Sequence, residues 1–396
     1  MKHTHRSFFA TLTAVALAVT FCLGLASCGG TTNYAAHNTE FVLGASGPLT
    51  GGAAIYGKAV ENGANLAVSE INAAGGIGGV RLKFIMMDDK HDASNVSTNY
   101  TAMFEAGMQL SLGCVTTIPC KEFKTLSHED NLFFLTPSAS ADTIVEYDNA
   151  YQMCFADNNQ GTVAAQYVNR LYAGVSKTIG VLYRSDDPYS SGIYTKFRDN
   201  LDPNITVVET SFSGDTVPSF ASQIHQLKNT DFIFLPIYST PAAQFMTEAR
   251  HEIPQDAVYY GCDGLDGIDT SVENFDISTI PQEVSFLSHF NSRATDGAAK
   301  TFIDKYTAAY GTSTLNQFAA SAYDAVYALA GALSQAGDRI TVTSSPSEIC
   351  KVLKDIFTDG YTFDGVTGTG ITWDASGFVN KQAVKYIVKP KNSENP

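Results

Sequence analysis

The chain has 396 residues, and its 40 acidic and 25 basic residues give a formal net charge of −15 at pH 7. Nucleic acid is not expected as a partner of so acidic a chain, because basic surfaces bind the phosphate backbone. The five cysteines after Cys28 are odd in number and irregularly spaced, which excludes a disulfide framework. Cys114 and Cys120 pair with each other, or all five are isolated buried thiols.

The first 28 residues have the layout of a lipoprotein export signal. Lys2 and Arg6 precede an uncharged stretch from Phe8 to Leu25, and the sequence LASC ends at Cys28. These residues resemble a bacterial lipobox, in which the cysteine receives diacylglycerol. The alternative is an uncleaved membrane anchor, since the stretch is long enough to span a bilayer. Either way, the rest of the chain is expected outside the cytoplasm, and removal of residues 1–28 leaves a net charge of −17.

Residues 29–40, GGTTNYAAHNTE, have no apolar periodicity. A polar segment of this kind behaves as a flexible coil. The sequence therefore predicts a tether between the lipidated cysteine and a folded body of about 350 residues, enough for two or three domains.

From Phe41, short apolar stretches alternate with amphipathic segments in two series. The first series predicts strands at 41–46, 81–87, 109–115 and 132–135, with helices at 56–73, 94–106 and 119–129. The second predicts strands at 177–183, 205–211, 231–236 and 257–261, with helices at 161–173, 190–201, 219–228 and 242–250. Strands that alternate with helices form parallel sheets covered on both faces. Two such series predict two α/β lobes.

The last third of the chain has too few elements for a third lobe. It predicts a strand at 284–287, helices at 297–310, 317–336 and 346–357, and a glycine-rich strand region that ends at 371–374. We assign the helices to the first lobe and the final strands to the second. The predicted N-terminal lobe is then 41–156 with 285–369, and the C-terminal lobe is 157–284 with 370–392. Three crossovers result, near Asp157, Val284 and Gly370.

Hydroxyl and acidic side chains follow the predicted strands. In parallel sheets ligands bind beyond the carboxyl ends of strands, where helix amino termini converge. The first series places hydroxyls there, and the second places tyrosines and Asp263. Hydroxyls and backbone N–H groups suit a carboxylate, and an acid suits an ammonium, so together they suggest an α-amino acid. Taken singly, the hydroxyls are also typical helix caps, and Asp263 before a glycine is a typical turn residue.

Several motifs occur in order along the chain. They are GPLTGGAAIYGKAVENGANLAVSEINAAGGIGG at 47–79, TPSAS at 136–140, DNNQG at 157–161, AQFMTEAR at 243–250 and GITWDASG at 370–377. Together they resemble the periplasmic branched-chain amino-acid-binding protein family, which has the type I solute-binding fold and serves ABC importers. The resemblance covers about Phe41 to Val388. It implies a lipid-anchored binding protein on the outer face of the cytoplasmic membrane, with a transporter permease and its ATPase as partners and no cofactor.

The resemblance also implies roles for individual residues. Thr117, Ser138 and Ser140 would hold the ligand carboxylate from the first lobe, with Ala139 between the two serines in the same site. Tyr56 would flank the ligand, and Asp157 would lie at the first crossover. The second-lobe residues in the predicted site are Tyr189 and Tyr238, which would close over the ligand, and Asp263, which would take the ammonium where many members have glutamate.

Two departures from the family bear on this transfer. His91 and Thr116 stand where some members carry a disulfide. Met153 and Cys154 stand where an arginine is usual, which predicts that a cation near the hinge is missing.

Enzyme and metal sites are poorly supported. Ser46 is not in a G-x-S-x-G motif, His128 and His251 are not in zinc-protease motifs, and the glycines at 75–79 follow a helix. Acid clusters around Asp88 and Asp263 are expected to be loop charges rather than metal ligands. The ligand stays open among amino acids, short peptides, amides and urea, and a ligand-sensing ectodomain is the alternative to import.

Overall fold

The computed structural model describes residues 33–270 and 272–390. The export signal and Cys28 lie outside this part of the chain. Tyr34–His37 form a short 3-10 helix in which Ala35 is buried. Asn38 Nδ2 donates to Gly107 O at 2.9 Å and to Gln109 Oε1 at 3.1 Å. The tether predicted over 29–40 is therefore shorter at its carboxyl end, because these residues pack on the body.

The first lobe is built on a five-stranded parallel sheet in the order β2-β1-β3-β4-β5. Its strands are β1 Phe41–Gly47, β2 Leu82–Asp88, β3 Leu110–Cys114, β4 Phe134–Thr136 and β5 Ala150–Gln152. Every residue of β1 is buried, as expected for a central strand covered by helices on both faces. The sequence predicts the first four strands, but β5 is only three residues long and was missed.

The second lobe has a six-stranded sheet in the order β11-β10-β9-β8-β6-β7. Its strands are β6 Lys177–Arg184, β7 Ile205–Phe212, β8 Phe232–Leu235, β9 Val258–Gly261, β10 Glu283–Ser288 and β11 Val384–Lys389. All pairs are parallel except β10 with β11, which is antiparallel. The predicted fold of two α/β lobes with parallel sheets is confirmed.

Ten α-helices cover the sheets in the described ranges. They are α1 Ala54–Ala73, α2 Val96–Glu105, α3 Thr117–Glu129, α4 Asp157–Leu171, α5 Pro188–Asp199, α6 Ala221–Leu227, α7 Ser239–Ala249, α8 Gly297–Tyr310, α9 Gln317–Ala336 and α10 Pro346–Thr358. The predicted inner face of α1 is buried, with Val60, Ala64 and Ala67 at 0% exposure. Helix α9 packs so closely on α1 that a Cβ on Gly63 would lie 2.1 Å from Ala319 O.

The three crossovers between the lobes lie partly downstream of the predicted positions. The first joins β5 to α4, just before Asp157. The second follows β10, because this strand lies wholly in the second sheet and residues 285–288 therefore belong to the second lobe.

The third crossover is about ten residues later than predicted. Ile371 and Trp373 are part of the first lobe's core, and Trp373 Nε1 donates to Gln152 O at 2.7 Å. The boundary predicted at Gly370 therefore moves to the segment just before β11. The segment around ITWD forms only isolated bridges, since its apolar side chains fill the first core instead of extending a sheet. Across 33–270 and 272–390, no helix combines the length and hydropathy of a membrane span.

Candidate ligand-binding site

The loops at the carboxyl ends of the two sheets enclose a small cavity between the lobes. Its volume is about 10 Å³, which is room for about one water molecule. Eight of the nine predicted ligand-binding residues line it: Tyr56, Thr117, Ser138, Ala139, Ser140, Tyr189, Tyr238 and Asp263. Val115, Thr116, Gly264 and Phe318 complete the lining. Residues far apart in sequence thus meet at one place, as the position of their loops predicts.

The first-lobe wall carries no charged side chain in the cavity lining. Thr136, at the end of β4, donates its hydroxyl to Cys114 O at 2.9 Å and accepts from the backbone N–H of Ala139 at 3.0 Å. This bond fixes the loop that presents Ser138 and Ser140. Thr117 begins α3, so the free N–H groups of that helix also face this side. Neutral donors at a helix start suit a carboxylate.

The second-lobe wall is built around Asp263, which is 2% exposed. Tyr189 donates its hydroxyl to Asp263 Oδ1 at 2.7 Å and accepts from Gly264 N at 2.9 Å. The rings of Tyr189 and Tyr238 stack at 4.8 Å. Burial raises the pKa of Asp263 to about 6, while the hydrogen bonds from Tyr189 and Gln160 oppose the rise. A cation placed beside this carboxyl would favour its ionised form.

Asp157 is the one predicted residue that does not line the cavity. It begins α4 and lies behind Asp263, with Gln160 between them. Gln160 Nε2 donates to Asp157 Oδ1 at 3.3 Å, and Asp263 N donates to Gln160 Oε1 at 2.9 Å. Burial, together with the charge of Asp263, raises the pKa of Asp157 well above its ordinary value. Asp157 therefore stabilises the position of Asp263 through Gln160 and does not itself contact the cavity.

Tyr56 joins the two lobes across the cleft. It lies in the first turns of α1, and its hydroxyl donates to Gly264 O at 2.5 Å and accepts from Ser239 N at 2.9 Å. Burial raises the pKa of Tyr56, so the phenol stays protonated. Its ring also packs edge-on against Phe318 at 5.3 Å. Tyr56 is thus a wall of the cavity and an interlobe contact at the same time.

Phe318 is a lining residue that sequence reasoning missed. It lies in the first turn of α9, two residues after the cap residue Asn316, whose side chain accepts from the N–H groups of Phe318 and Ala319. The sequence assigned this helix to the first lobe but gave no sign that its first turn faces the cleft. Only a cap signal was present, since Asn before an apolar helix marks where the helix begins.

The hinge contains the cation that the sequence predicted to be missing. Lys381, in the third crossover, is 6% exposed, and its Nζ has no hydrogen-bond partner among the described residues. Burial lowers the pKa of Lys381 to about 8, and the charge of Asp324 opposes this effect. The expectation of a hinge without a cation, drawn from Cys154, is therefore wrong, because a lysine from another segment reaches the same region.

The acids considered as metal ligands serve the loops instead. Asp88 accepts from Leu49 N at 2.8 Å and from Thr50 Oγ1 at 2.6 Å. Asp266 accepts from Gln317 N at 2.9 Å. Within the described part of the chain, no three His, Cys, Asp or Glu side chains are arranged to hold a metal ion. All five described cysteines are buried and free.

Comparisons with known proteins identify the fold and the family. The leucine-, isoleucine-, valine-, threonine-, and alanine-binding protein of Pseudomonas aeruginosa is 25% identical over 349 residues, covering 86% of this chain and 87% of the relative. The crystal structure of the substrate binding protein LivJ of Streptococcus pneumoniae, in complex with isoleucine, has a TM-score of 0.72 at 24% identity and covers 89% of this chain and 100% of that chain.

A solute binding protein of R. palustris in complex with benzoate has a TM-score of 0.71 at 18% identity, covering 90% of this chain and 98% of that chain. The names of these relatives describe binding proteins rather than enzymes, in agreement with the sequence prediction. A family model described as periplasmic binding protein matches residues 40–384. The chain therefore belongs to the periplasmic binding protein family, and its resemblance to the branched-chain amino-acid-binding members is confirmed.

Proposed function

We propose that the chain captures an α-amino acid between its two lobes. The observation that carries this proposal is the pairing of two unlike walls across one cavity. Ser138, Ser140 and Thr117 offer neutral donors for a carboxylate, and the buried Asp263 faces them from the other lobe. A ligand with only a carboxylate would leave Asp263 buried and unpaired, which is unfavourable. A zwitterion satisfies both walls.

Capture requires the lobes to separate first. A cavity of about 10 Å³ is far smaller than an amino acid, and Tyr56 connects the lobes across it. Hinge motion at crossovers is the usual response of two-lobe binding proteins. The hinges proposed here are the three crossovers, before Asp157, after β10 and beside Lys381. The lobes themselves are then expected to move as rigid bodies, since each has its own sheet and core.

Delivery to an ABC importer is the role we infer for the captured ligand. The names of the relatives, which include a transporter's substrate binding protein, support this role. The sequence LASC at 25–28 supports export and lipidation of Cys28, with Cys28 as the first residue of the mature chain. Mass spectrometry of the amino-terminal peptide should find a diacylglyceryl thioether on Cys28. An unmodified cysteine within an uncleaved chain would contradict the anchor.

A thermal-shift screen tests the ligand class. The purified protein is heated with each common amino acid, and with acetamide, urea and benzoate as controls that lack one or both charged groups. A ligand that binds only the folded state adds about 2.7 kcal/mol to the free energy of unfolding at 100 times its Kd. We expect at least one amino acid to raise Tm and the controls to leave it unchanged. A larger shift with an amide, urea or benzoate than with any amino acid would overturn the proposal.

A further inference from the structure

The loop after β2 holds His91 in a backbone conformation that few side chains adopt. Lys90 and His91 have φ values of 56° and 63°, in the left-handed region. Asp89, which is 0% exposed, stabilises the loop by accepting from His91 N at 2.9 Å and from Ser46 Oγ at 3.0 Å. Strained conformations of this kind persist where the surrounding structure fixes them, and they cluster at binding sites. The loop thereby directs the His91 ring toward the cleft.

The ring of His91 contacts two residues that line the cavity. Its Nδ1 is 2.8 Å from Thr116 Oγ1, and its plane meets the ring of Tyr238 edge-on at 5.6 Å. Thr116 belongs to the first lobe and Tyr238 to the second. The His91 ring does not line the cavity itself but lies directly behind Thr116 and Tyr238, where these two lining residues meet.

The other ring nitrogen, Nε2, is buried and has no hydrogen-bond partner among the described residues. The side chain is 9% exposed, and Asp215 Oδ1 of the second lobe is 4.0 Å from Nε2, beyond hydrogen-bond distance. Asp215 is already paired with Arg184 at 2.6 Å. Arg184 also pairs with Asp186 at 2.9 Å. These charged groups pair with one another, so Nε2 is left without a hydrogen-bond partner on the side of the ring that faces Asp215.

Burial lowers the pKa of His91; Asp215 and Asp92 oppose this shift, and Arg184 adds to it. The ring is then neutral at pH 7, with one nitrogen as donor and the other as acceptor. Whichever role Nδ1 takes toward Thr116, Nε2 takes the opposite one. A hydroxyl or a carboxamide can complement either role, whereas an aliphatic group can complement neither.

We propose that His91 and Thr116 form a polar end of the cavity that receives the ligand side chain and selects amino acids bearing a hydroxyl or a carboxamide over aliphatic ones. This inference rests on the proposed function, which assigns the carboxylate to the serine loop and the ammonium to Asp263. With both ends of the backbone held there, the side chain extends past Thr116 and Tyr238 toward the His91 ring. A site that hydrogen-bonds a polar group discriminates strongly against an analogue without it, because its own polar group is then left buried and unpaired.

Calorimetry with pairs of ligands of similar shape tests the inference. Threonine is compared with valine, and asparagine with leucine, on the purified protein. We expect the polar member of each pair to bind roughly 10-fold to 100-fold more tightly, as an unpaired buried group implies. His91→Phe keeps an aromatic ring against Tyr238 and is expected to weaken threonine and strengthen valine, reversing their order. Thr116→Val should reduce the threonine preference in the same direction.

Lys90→Ala is the matched control, because Lys90 shares the left-handed conformation but its side chain is exposed. This variant should keep the wild-type order of ligands. The inference would be overturned if the aliphatic ligands bound the wild type more tightly than their polar partners and kept this order in His91→Phe and Thr116→Val. That result would leave the proposed capture of amino acids unaffected. Binding of no amino acid at all would overturn the proposed function itself.

Discussion

The two walls of the cleft differ in how they meet a ligand. The first-lobe wall presents hydroxyls and backbone N–H groups on a loop fixed by Thr136, and none of its lining residues is charged. The second-lobe wall presents one carboxyl, Asp263, held by Tyr189 and connected through Gln160 to Asp157. In the proposed function, the neutral wall would orient a ligand at any pH, whereas the acidic wall would select a positive charge only when Asp263 is ionised. The comparison therefore assigns orientation to one lobe and charge selection to the other.

Removing the acid should have the largest effect. Asp263→Ala leaves the ligand ammonium buried without its partner, and breaking a buried ion pair costs roughly 3–5 kcal/mol. We expect the Kd for the best amino acid to rise by about 10²–10³ or more in calorimetry. Asp269→Ala is the control, because Asp269 is only partly buried and its nearest basic group is Arg293 at 3.9 Å. An Asp263→Ala protein that is folded by circular dichroism and binds within threefold of the wild type would contradict the assignment.

The pH dependence of binding should follow from the titration of Asp263 in the second-lobe wall. The pKa of Asp263 is raised from 3.8 to about 6, so below pH 6 the carboxyl must lose a proton before it can pair with an ammonium. Affinity should then fall by up to about tenfold for each pH unit below 6 and be constant above about pH 7. Asp263→Asn should remove this dependence. An equal slope in that variant would instead point to another buried acid, such as Asp187, whose pKa is also raised to about 6.

The folding stability of the ligand-free protein should fall as the pH rises, whereas the affinity for ligand should increase. A carboxyl whose pKa is raised in the folded state binds more protons there than in the unfolded chain. The contribution of Asp263 to the free energy of unfolding should therefore fall as the pH rises from 3.8 to about 6. Ligand saturation is expected to reverse this trend, since the ammonium stabilises the ionised form.

A smaller effect is expected from the contact that joins the two walls. Tyr56→Phe removes the hydroxyl that donates to Gly264 O and accepts from Ser239 N, and one hydrogen bond contributes about 0.5–1.5 kcal/mol. Affinity should weaken roughly threefold to tenfold. Small-angle scattering should show less compaction at equal saturation. Tyr327→Phe, whose hydroxyl donates to Glu70 within the first lobe, should change neither measurement.

The alternation of helices and strands could be predicted because its signal is local. Short apolar stretches and helical periodicity mark each element within a few residues, and the inner face of α1 with Val60 and Ala64 is an example. The third crossover could not be placed, since Trp373 reads as part of a strand yet fills the first lobe's core. That choice depends on packing between segments more than 200 residues apart, as its bond to Gln152 O shows.

The residues of the candidate site also fall into those that local sequence signals predict and those that depend on long-range packing. The loops after strands could be predicted to converge, because parallel strands end at one edge. The positions of Lys381 and Phe318 could not be predicted. They depend on the third crossover reaching the hinge and on the first turn of α9 reaching the cleft. Asp157 was assigned to the site by resemblance, and its bonds to Gln160 and to Ser140 O hold it one layer behind the cavity lining.

The interlobe contact made by Tyr56 has a kinetic consequence. Tyr56 is 1% exposed and Asp263 is 2% exposed, so both groups are covered from solvent while the lobes are together. A ligand held between them can leave only after the lobes open, so the rate of opening is expected to be an upper limit on the rate of release. A change at Tyr56 is then expected to alter residence time and affinity together, through the equilibrium between open and closed lobes, whereas a change at Asp263 acts on the bound ligand itself.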